Sequence, residues 1–426
     1  MIQLNLPWKM PGKEYSSAIL QQDFFAGLTT AVMLIPQSMA YALLAGLPIE
    51  VGLYASTVPI FVYAFFGTAS SLAIGPVAMD SLLSAAAVSS VAAVYGLNND
   101  MSIVAAALLA FMVGCIMVVM GLLRLGKVVD LLTHTIISAF TSAAALIIAI
   151  NQLKLILGVE LIKTPQVVEI LWDAIQKLPQ THMITFGIGI GTIVLLKLLK
   201  QYYPKLPGAF IAVVVTSLLV FGFHLDAQGV KVVGTVPAGL PSFQFPTVQG
   251  NASMMDVALS LAPHALVIAM VAFMEAISVS TKLQAKEEEL NPSAEFVALG
   301  LANMATGLFK GYSVTGGLSR SAVNKSAGAQ SKMSGVITGI VVVITLSFFS
   351  SVLYTIPKAV LGGIIMSAVV GLISIADVRN IFTKNKRDIP VYMLTFMVTL
   401  FIGIQQGLIV GVLFNWLWNK FYPASK

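Results

Sequence analysis

The sequence predicts an all-α membrane protein with fourteen spans, arranged as two sets of seven related by inversion. Three observations predict it. The 426-residue chain is 58% hydrophobic and only 10% charged, against about a quarter charged in a soluble domain. Its apolar stretches repeatedly exceed the ~18 residues that cross a bilayer. Two spans at matching places in the two sets are short and interrupted by glycine or proline, the sequence mark of inverted repeats.

The apolar segments run 24–45, 48–66, 76–95, 101–122, 130–151, 181–199, 207–223, 257–281, 292–309, 318–329, 333–353, 357–375, 389–403 and 405–421. They are preceded by an N-terminal segment, 1–22. Its opening, MIQLNLPWKMPGKEYSSAIL, lacks the charged, apolar and cleavable order of a signal peptide, so the first span is the expected insertion signal. Residues 152–180 are mixed in character and read as a connecting loop with a short amphipathic helix. Residues 224–256 are rich in Gly, Pro and polar residues and read as a long extracytoplasmic loop. That loop divides a first repeat, 23–223, from a second, 257–421, which is followed by a short tail, 422–426.

With the N-terminus in the cytoplasm and the sides alternating, seventeen Lys and Arg fall on the cytoplasmic side and six on the other, with Arg320 set apart. This asymmetry predicts both termini inside; the expected location is the cell inner (plasma) membrane. It also assigns the net charge of +6 to topology signals and contacts with anionic membrane lipid, with no nucleic acid implied. The charged run KEEEL, 286–290, reads as a solvated cytoplasmic loop. One cysteine, Cys115, excludes an intrachain disulfide and a multi-cysteine metal site. The four histidines are scattered, no phosphate-binding loop is present, and no nucleophile–base set can be assembled. Neither an enzyme nor a cofactor is expected.

The interrupted spans carry the chemistry. The third begins with an extended-looking stretch, then Gly75-Pro76, then a short helix; proline suits the first helical position because its missing N–H would be unpaired there. The tenth has Gly316-Gly317 and then a helix from about Leu318. An odd number of spans per half makes the halves opposite in direction, so these half-helices point their N-termini at each other near mid-membrane. Helix N-termini carry partial positive charge and free N–H groups. The turns Gly75-Pro76-Val77-Ala78 and Leu318-Ser319-Arg320 therefore make an anion site, to which Arg320 adds a full charge.

Each residue has a plainer reading too. Arg320 could pair with a carboxylate or snorkel, although a midplane arginine is costly enough to be read as functional first. Ser319 and Ser321 could donate to an ion or back-bond to the helix; position favours Ser319. Gln37 and Tyr41, four apart, share one face of the first span and serve either the ion or interhelical packing. Glu275 is a lone carboxylate in the eighth span. It could carry a proton, pair with Arg320 or Lys282, or join Ser278 and unwound carbonyls in a Na⁺ site. Asp80, in the first turn of the third-span helix, could complement the helix dipole or take part in coupling.

The first span, DFFAGLTTAVMLIPQSMAYALLAGLP (23–48), and the stretch after it resemble the sulfate permease (SulP) family of anion transporters. The likeness lies in Pro36-Gln37-Ser38-Met39-Ala40-Tyr41-Ala42, Gly46-Leu47-Pro48, Gly52-Leu53-Tyr54 and Gly75-Pro76; GGLSRSAVN (316–324) resembles the tenth-helix motif. The resemblance implies the seven-plus-seven fold shared with uracil permease, with a core domain (spans 1–4 and 8–11) and a gate domain (5–7 and 12–14). It places Gln37 and Tyr41 around the ion. It implies a secondary active inorganic anion transporter: sulfate uptake by proton symport through elevator-type alternating access, with a homodimer through the gate domain. Sodium-coupled bicarbonate or dicarboxylate transport, anion exchange and a passive anion channel are alternatives on the same fold. By resemblance, glutamate at position 275 is closer to proton-coupled sulfate carriers, and aspartate to bicarbonate carriers. A nucleobase–proton symporter shares the fold, but carboxylates rather than Arg320 would be expected to read a base. Most members continue into a cytoplasmic STAS domain; this chain stops at Lys426, so none is expected.

Overall fold

In the computed structural model, residues 6–8, 14–125, 133–162, 164, 166–203, 206–248, 253–283, 290–383 and 385–421 are described. The predicted tail 422–426, the charged run up to residue 289 and parts of the N-terminal segment lie outside the described residues.

Helices follow in order: α1 (Ser17–Leu44), α2 (Ile49–Tyr54), α3 (Val58–Phe66), α4 (Ala78–Tyr95), α5 (Asn99–Leu122), α6 (His134–Leu157), α7 (Val167–Gln176), α8 (Met183–Tyr202), α9 (Gly208–Phe223), α10 (Met254–Leu283), α11 (Pro292–Leu308), α12 (Leu318–Ser326), α13 (Met333–Phe348), α14 (Lys358–Val370), α15 (Ile375–Thr383), α16 (Ile389–Phe401) and α17 (Ile404–Phe421). Two short strands, β1 (Ile74–Gly75) and β2 (Thr315–Gly316), precede α4 and α12. Among the described residues, eight segments are long and apolar enough to cross a membrane by length and composition; α9 and α13 are apolar but shorter.

Several boundaries differ from the sequence expectation, each for a local reason. The first helix starts earlier than residue 24 because Ser16 caps it, its side chain accepting from the Ile19 amide at 3.4 Å. The second span is broken into α2 and α3, with Pro59 entering the first turn of α3, where its missing N–H does no harm. The third-span helix starts at Ala78 with Val77 as N-cap, so Pro76 stands just outside it rather than at its first position. The span expected at 333–353 ends as α-helix at Phe348 and passes into a 3-10 turn, Ser350–Thr355. The one expected at 357–375 stops at Val370, and α15 is a separate short helix.

The expected amphipathic helix is α7. It buries Val167, Ile170 and Ala174 and leaves Leu171, Trp172 and Ile175 exposed. Asp173 fastens it by accepting from the Ile162 amide at 2.8 Å and from Lys177 Nζ at 3.0 Å. The Ile162 amide, then Lys177, hold the Asp173 carboxyl below the usual carboxylate range.

Packing separates two bodies. One comprises α1–α5 and α10–α13; the other comprises α6, α8, α9, α14, α16 and α17. This is the expected core and gate grouping. In the first body α5 and α11 lie backbone to backbone: a Cβ on Gly114 would sit 2.5 Å from the Gly300 carbonyl oxygen, and one on Gly307 2.5 Å from that of Ala107. Such small-residue seams let helices approach where burial from lipid supplies little drive. The bodies touch where α1 meets α9 and α14, and where α4 meets α6 and α17. At the centre of the first body β1 and β2 pair antiparallel, Ile74 opposite Gly316 and Gly75 opposite Thr315. The starts of α4 and α12 thus meet, as the half-helix reading expects.

The described part of the long loop, 224–248, is fastened to the second half. Val233 N donates to Ile356 O at 2.8 Å, Gly239 N to Leu346 O at 3.1 Å and Gln244 N to Leu308 O at 2.9 Å.

Candidate functional site

Both half-helices begin uncapped. The N-caps Val77 and Gly317 make no side-chain cap hydrogen bond. The first intrahelical bonds run from Ser81 N to Val77 O (3.0 Å) and from Ser321 N to Gly317 O (2.9 Å). The amides of Ala78, Met79 and Asp80, and of Leu318, Ser319 and Arg320, therefore lack intrahelical partners. Both sets open at the β1–β2 junction.

Glycine is required there. Gly75 has φ +151°, which side-chain-bearing residues rarely adopt. A Cβ on it would lie 3.3 Å from Arg320 Nη2, and one on Gly317 only 2.8 Å from Arg320 Cζ. The two glycines leave the space that the guanidinium fills. The approach to β2 is held by Asn303 of α11, whose Nδ2 donates to Val314 O and whose Oδ1 accepts from Val314 N, both at 2.9 Å. Thr315 Oγ1 donates to the Ala272 carbonyl at 2.5 Å, tying β2 to α10. Ser321 Oγ accepts from Ala73 N at 2.9 Å, so this hydroxyl is committed to the scaffold.

Arg320 is 1% exposed. Its Nη1 donates to the Pro76 carbonyl at 2.8 Å and to Gln37 Oε1 at 3.3 Å. Its Nε and Nη2 are buried without a partner. It does not snorkel, and among the described residues no carboxylate forms an ion pair with it. Tyr41, Tyr312 and Glu275 are the ionisable groups that act on it electrostatically. Gln37 and Tyr41 are both buried on α1.

The sequence-predicted residues are thus distributed unequally around the guanidinium. Gln37, Gly75 and Pro76 touch it or stand against it; Val77 and Ala78 are buried at the start of α4. Leu318 and Ser319 are exposed at the start of α12. Glu275 is half-buried on α10, within electrostatic reach of Arg320 but in no ion pair with it or with Lys282, which is exposed; Ser278 is exposed as well. Asp80 is fully buried, and neither carboxylate oxygen has a hydrogen-bond partner; Glu275 and Ser313 are the groups that act on it. Among the described residues no three of His, Cys, Asp and Glu converge as metal ligands would.

Sequence reasoning missed three residues. Tyr312 is fully buried, with its hydroxyl 3.0 Å from Ser81 Oγ. Asn303 was legible in principle as a lone amide in an apolar span. Glu295, buried in α11, accepts from the Tyr63 hydroxyl and from Thr68 N and Oγ1; its only signal was a carboxylate inside a span.

A buried guanidinium with open donors, beside two uncapped helix starts, presents converging N–H groups and no competing carboxylate contact. Such a set complements an oxyanion.

The Sulfate permease family matches residues 20–395. Sulfate transporter 4.1, chloroplastic, of Arabidopsis thaliana is 37% identical over 408 residues, covering 94% of this chain and 58% of that protein. The sodium-independent sulfate anion transporter of Bos taurus is 30% identical over 430 residues, covering 94% and 69%. The murine Solute Carrier 26 family member A9 anion transporter in its inward-facing state superposes with a TM-score of 0.88 at 25% identity, covering 98% of this chain and 70% of that one. The chain spans 58 to 64% of the length of three plant relatives.

Proposed function

The chain belongs to the sulfate permease family, an integral membrane transporter family with the seven-plus-seven inverted-repeat fold, and from that membership we propose that it is a secondary active transporter taking up sulfate together with protons. The observation that carries the reading is Arg320, a buried cation whose Nε and Nη2 are unpartnered beside the starts of α4 and α12. An unsatisfied buried charge is costly, and an oxyanion bound there relieves it. Gln37 orients the guanidinium from α1, the open amides of Ala78 and Leu318-Ser319 contact the anion, and the Ser319 hydroxyl adds a donor.

Proton coupling is assigned to Glu275. Moving one charge against 100 mV costs about 2.3 kcal/mol, and sulfate carries two, so uphill uptake into a negative interior needs co-transported cations. A proton on Glu275 removes its repulsion of the anion. Proton and anion then bind with positive cooperativity, each tightening the other equally. The two packed bodies support an elevator-type cycle, in which the body holding Arg320 moves against the α6–α9 and α14–α17 body. The same reading puts both termini in the cytoplasm, the protein in the plasma membrane, and a homodimer contact on the second body.

The test is uptake of labelled sulfate, bicarbonate and fumarate into vesicles holding the purified chain, under separate pH and Na⁺ gradients. Sulfate accumulation that rises as external pH falls and ignores Na⁺ supports the proposal. Accumulation that follows Na⁺ at constant pH makes Glu275 a sodium ligand and bicarbonate the better substrate.

A further inference from the structure

Helices α4 and α10 run antiparallel with a regular register. At the end nearest the 224–248 loop, the Tyr95 hydroxyl lies 3.0 Å from Ser260 Oγ and donates to the Asp256 carbonyl at 3.3 Å. One turn further in, Ser90 Oγ lies 3.1 Å from His264 Nε2. Continuing this register brings Ser84 level with Val271 and Asp80 level with Glu275, the two carboxylates that act on each other electrostatically. On α10, His264, Ile268, Val271 and Glu275 follow the i, i+4, i+7, i+11 spacing of a single helix face.

This seam has an unusual polar content. His264 Nδ1, Ser84 Oγ and both Asp80 oxygens are buried without hydrogen-bond partners, and Ser84 and Asp80 are almost wholly inaccessible. Buried polar groups are nearly always satisfied by protein or by water. Four such atoms on two packed antiparallel helices are what a hydrated or proton-bearing line along their seam would leave. The rise from His264 to Glu275 is about 16 Å, divided by the level of Ser84 into steps of about 10 and 6 Å, lengths that a file of about one to three hydrogen-bonded waters covers.

We propose that the α4–α10 seam is the proton path of the carrier, with His264 as its loop-side station and Asp80 with Glu275 as the shared proton acceptor at its inner end. The proposal rests on the proton-coupled reading above. The imidazole takes a proton on one ring nitrogen and releases one from the other, passing through the imidazolium and returning to neutral. The released proton moves past Ser84 to the carboxylate pair, where one proton is shared and one negative charge remains. The ionisable groups that act on the carboxylates are Arg320 of α12, Tyr41 of α1 and Tyr312 ahead of β2. At the other end the Tyr95 hydroxyl and the Asp256 carbonyl flank the seam, one turn from the half-buried His264 ring.

The experiment uses the full chain in vesicles with an internal pH dye, recording proton entry and labelled-sulfate accumulation under a pH gradient, and sulfate–sulfate exchange at equal pH. His264→Ala and His264→Gln should slow proton-driven accumulation about tenfold or more, leave exchange unchanged and recover on addition of free imidazole. Ser84→Ala should slow it without imidazole rescue. Wild-type proton entry in either His264 variant, or loss of exchange together with accumulation and no rescue, overturns the proposal. If the wild-type protein itself exchanges sulfate but admits no protons, proton coupling fails and the seam proposal falls with it; that outcome shows without any variant.

Discussion

Arg320, in the second half of the chain, donates to the carbonyl of Pro76, in the first half, at 2.8 Å. The site cation is thereby aimed by backbone from the opposite repeat. Its geometry depends on both half-helix starts at once, so disturbing either should disturb the ion.

Arg320→Ala should abolish saturable sulfate uptake while the protein still folds and inserts. Arg320→Lys keeps the charge but loses the planar fork. A hydrogen bond to a charged group contributes about 1.5–3 kcal/mol, so the lysine variant should bind sulfate about 10- to 100-fold more weakly. Titration of the purified proteins checks both; near-normal uptake by the alanine variant in vesicles would remove Arg320 from the site.

Gly317→Ala places a Cβ 2.8 Å from the guanidinium carbon, inside van der Waals contact. The guanidinium must move away, so sulfate affinity should fall with little change in melting temperature. Gly335→Ala, whose Cβ would meet nothing closer than 3.8 Å, is the matched control.

Glu275→Gln imitates the protonated carboxyl. Exchange of internal for external sulfate should survive at wild-type rate, and accumulation driven by external acid should disappear. Equal accumulation at every external pH in the wild type would contradict the assignment.

Asp23 is fully buried and holds the turn between α12 and α13. It accepts from Gln330 N at 2.8 Å, from Ser331 N at 3.0 Å, from Ser331 Oγ at 2.5 Å and from the Tyr15 hydroxyl at 3.1 Å. Asp23→Ala leaves those donors unpaired and should cost about 1–3 kcal/mol of stability, seen as a lower melting temperature in detergent. Burial, then Asp23, push the Tyr15 hydroxyl up from 10.0 to about 12. A raised value stabilises the fold below the unfolded one and is lost as pH rises through the folded one. The Tyr15 contribution should therefore hold below about pH 10 and vanish through about pH 12, and Tyr15→Phe should remove that dependence.

Much of the architecture was written in hydropathy. Apolar length marked the spans, and Gly75-Pro76 with Gly316-Gly317 marked the two starts that meet. What the sequence concealed follows from the same physics. Leu372-Ile373 prolonged an apolar run across a real helix end, so α15 was invisible. Pro76 read as a helix start because proline suits that place, whereas its carbonyl is turned to Arg320. In the site, Arg320 and Gln37 stood out as polar residues in apolar surroundings. Tyr312 did not, because a tyrosine in a membrane chain is ordinary until its neighbours are known. Position alone favoured Ser319 over Ser321, and the Ala73 amide that donates to Ser321 Oγ supplies a physical reason the sequence did not hold.

The stitches between the halves bear on how the protein is made. Thr30 reaches Asn324 at 3.3 Å, Thr338 reaches the Gly27 carbonyl at 3.0 Å, and Arg320 reaches Gln37, pairs separated by 283 to 311 residues along the chain. A nascent first helix leaving the ribosome meets none of these partners. Its Asp23 carboxylate and Gln37 amide must wait in the translocon or the lipid until the thirteenth helix is synthesised. The core therefore closes with the late capture of the oldest helix by its youngest part, and chains truncated before residue 340 should be handed to membrane quality control rather than mature as half-carriers.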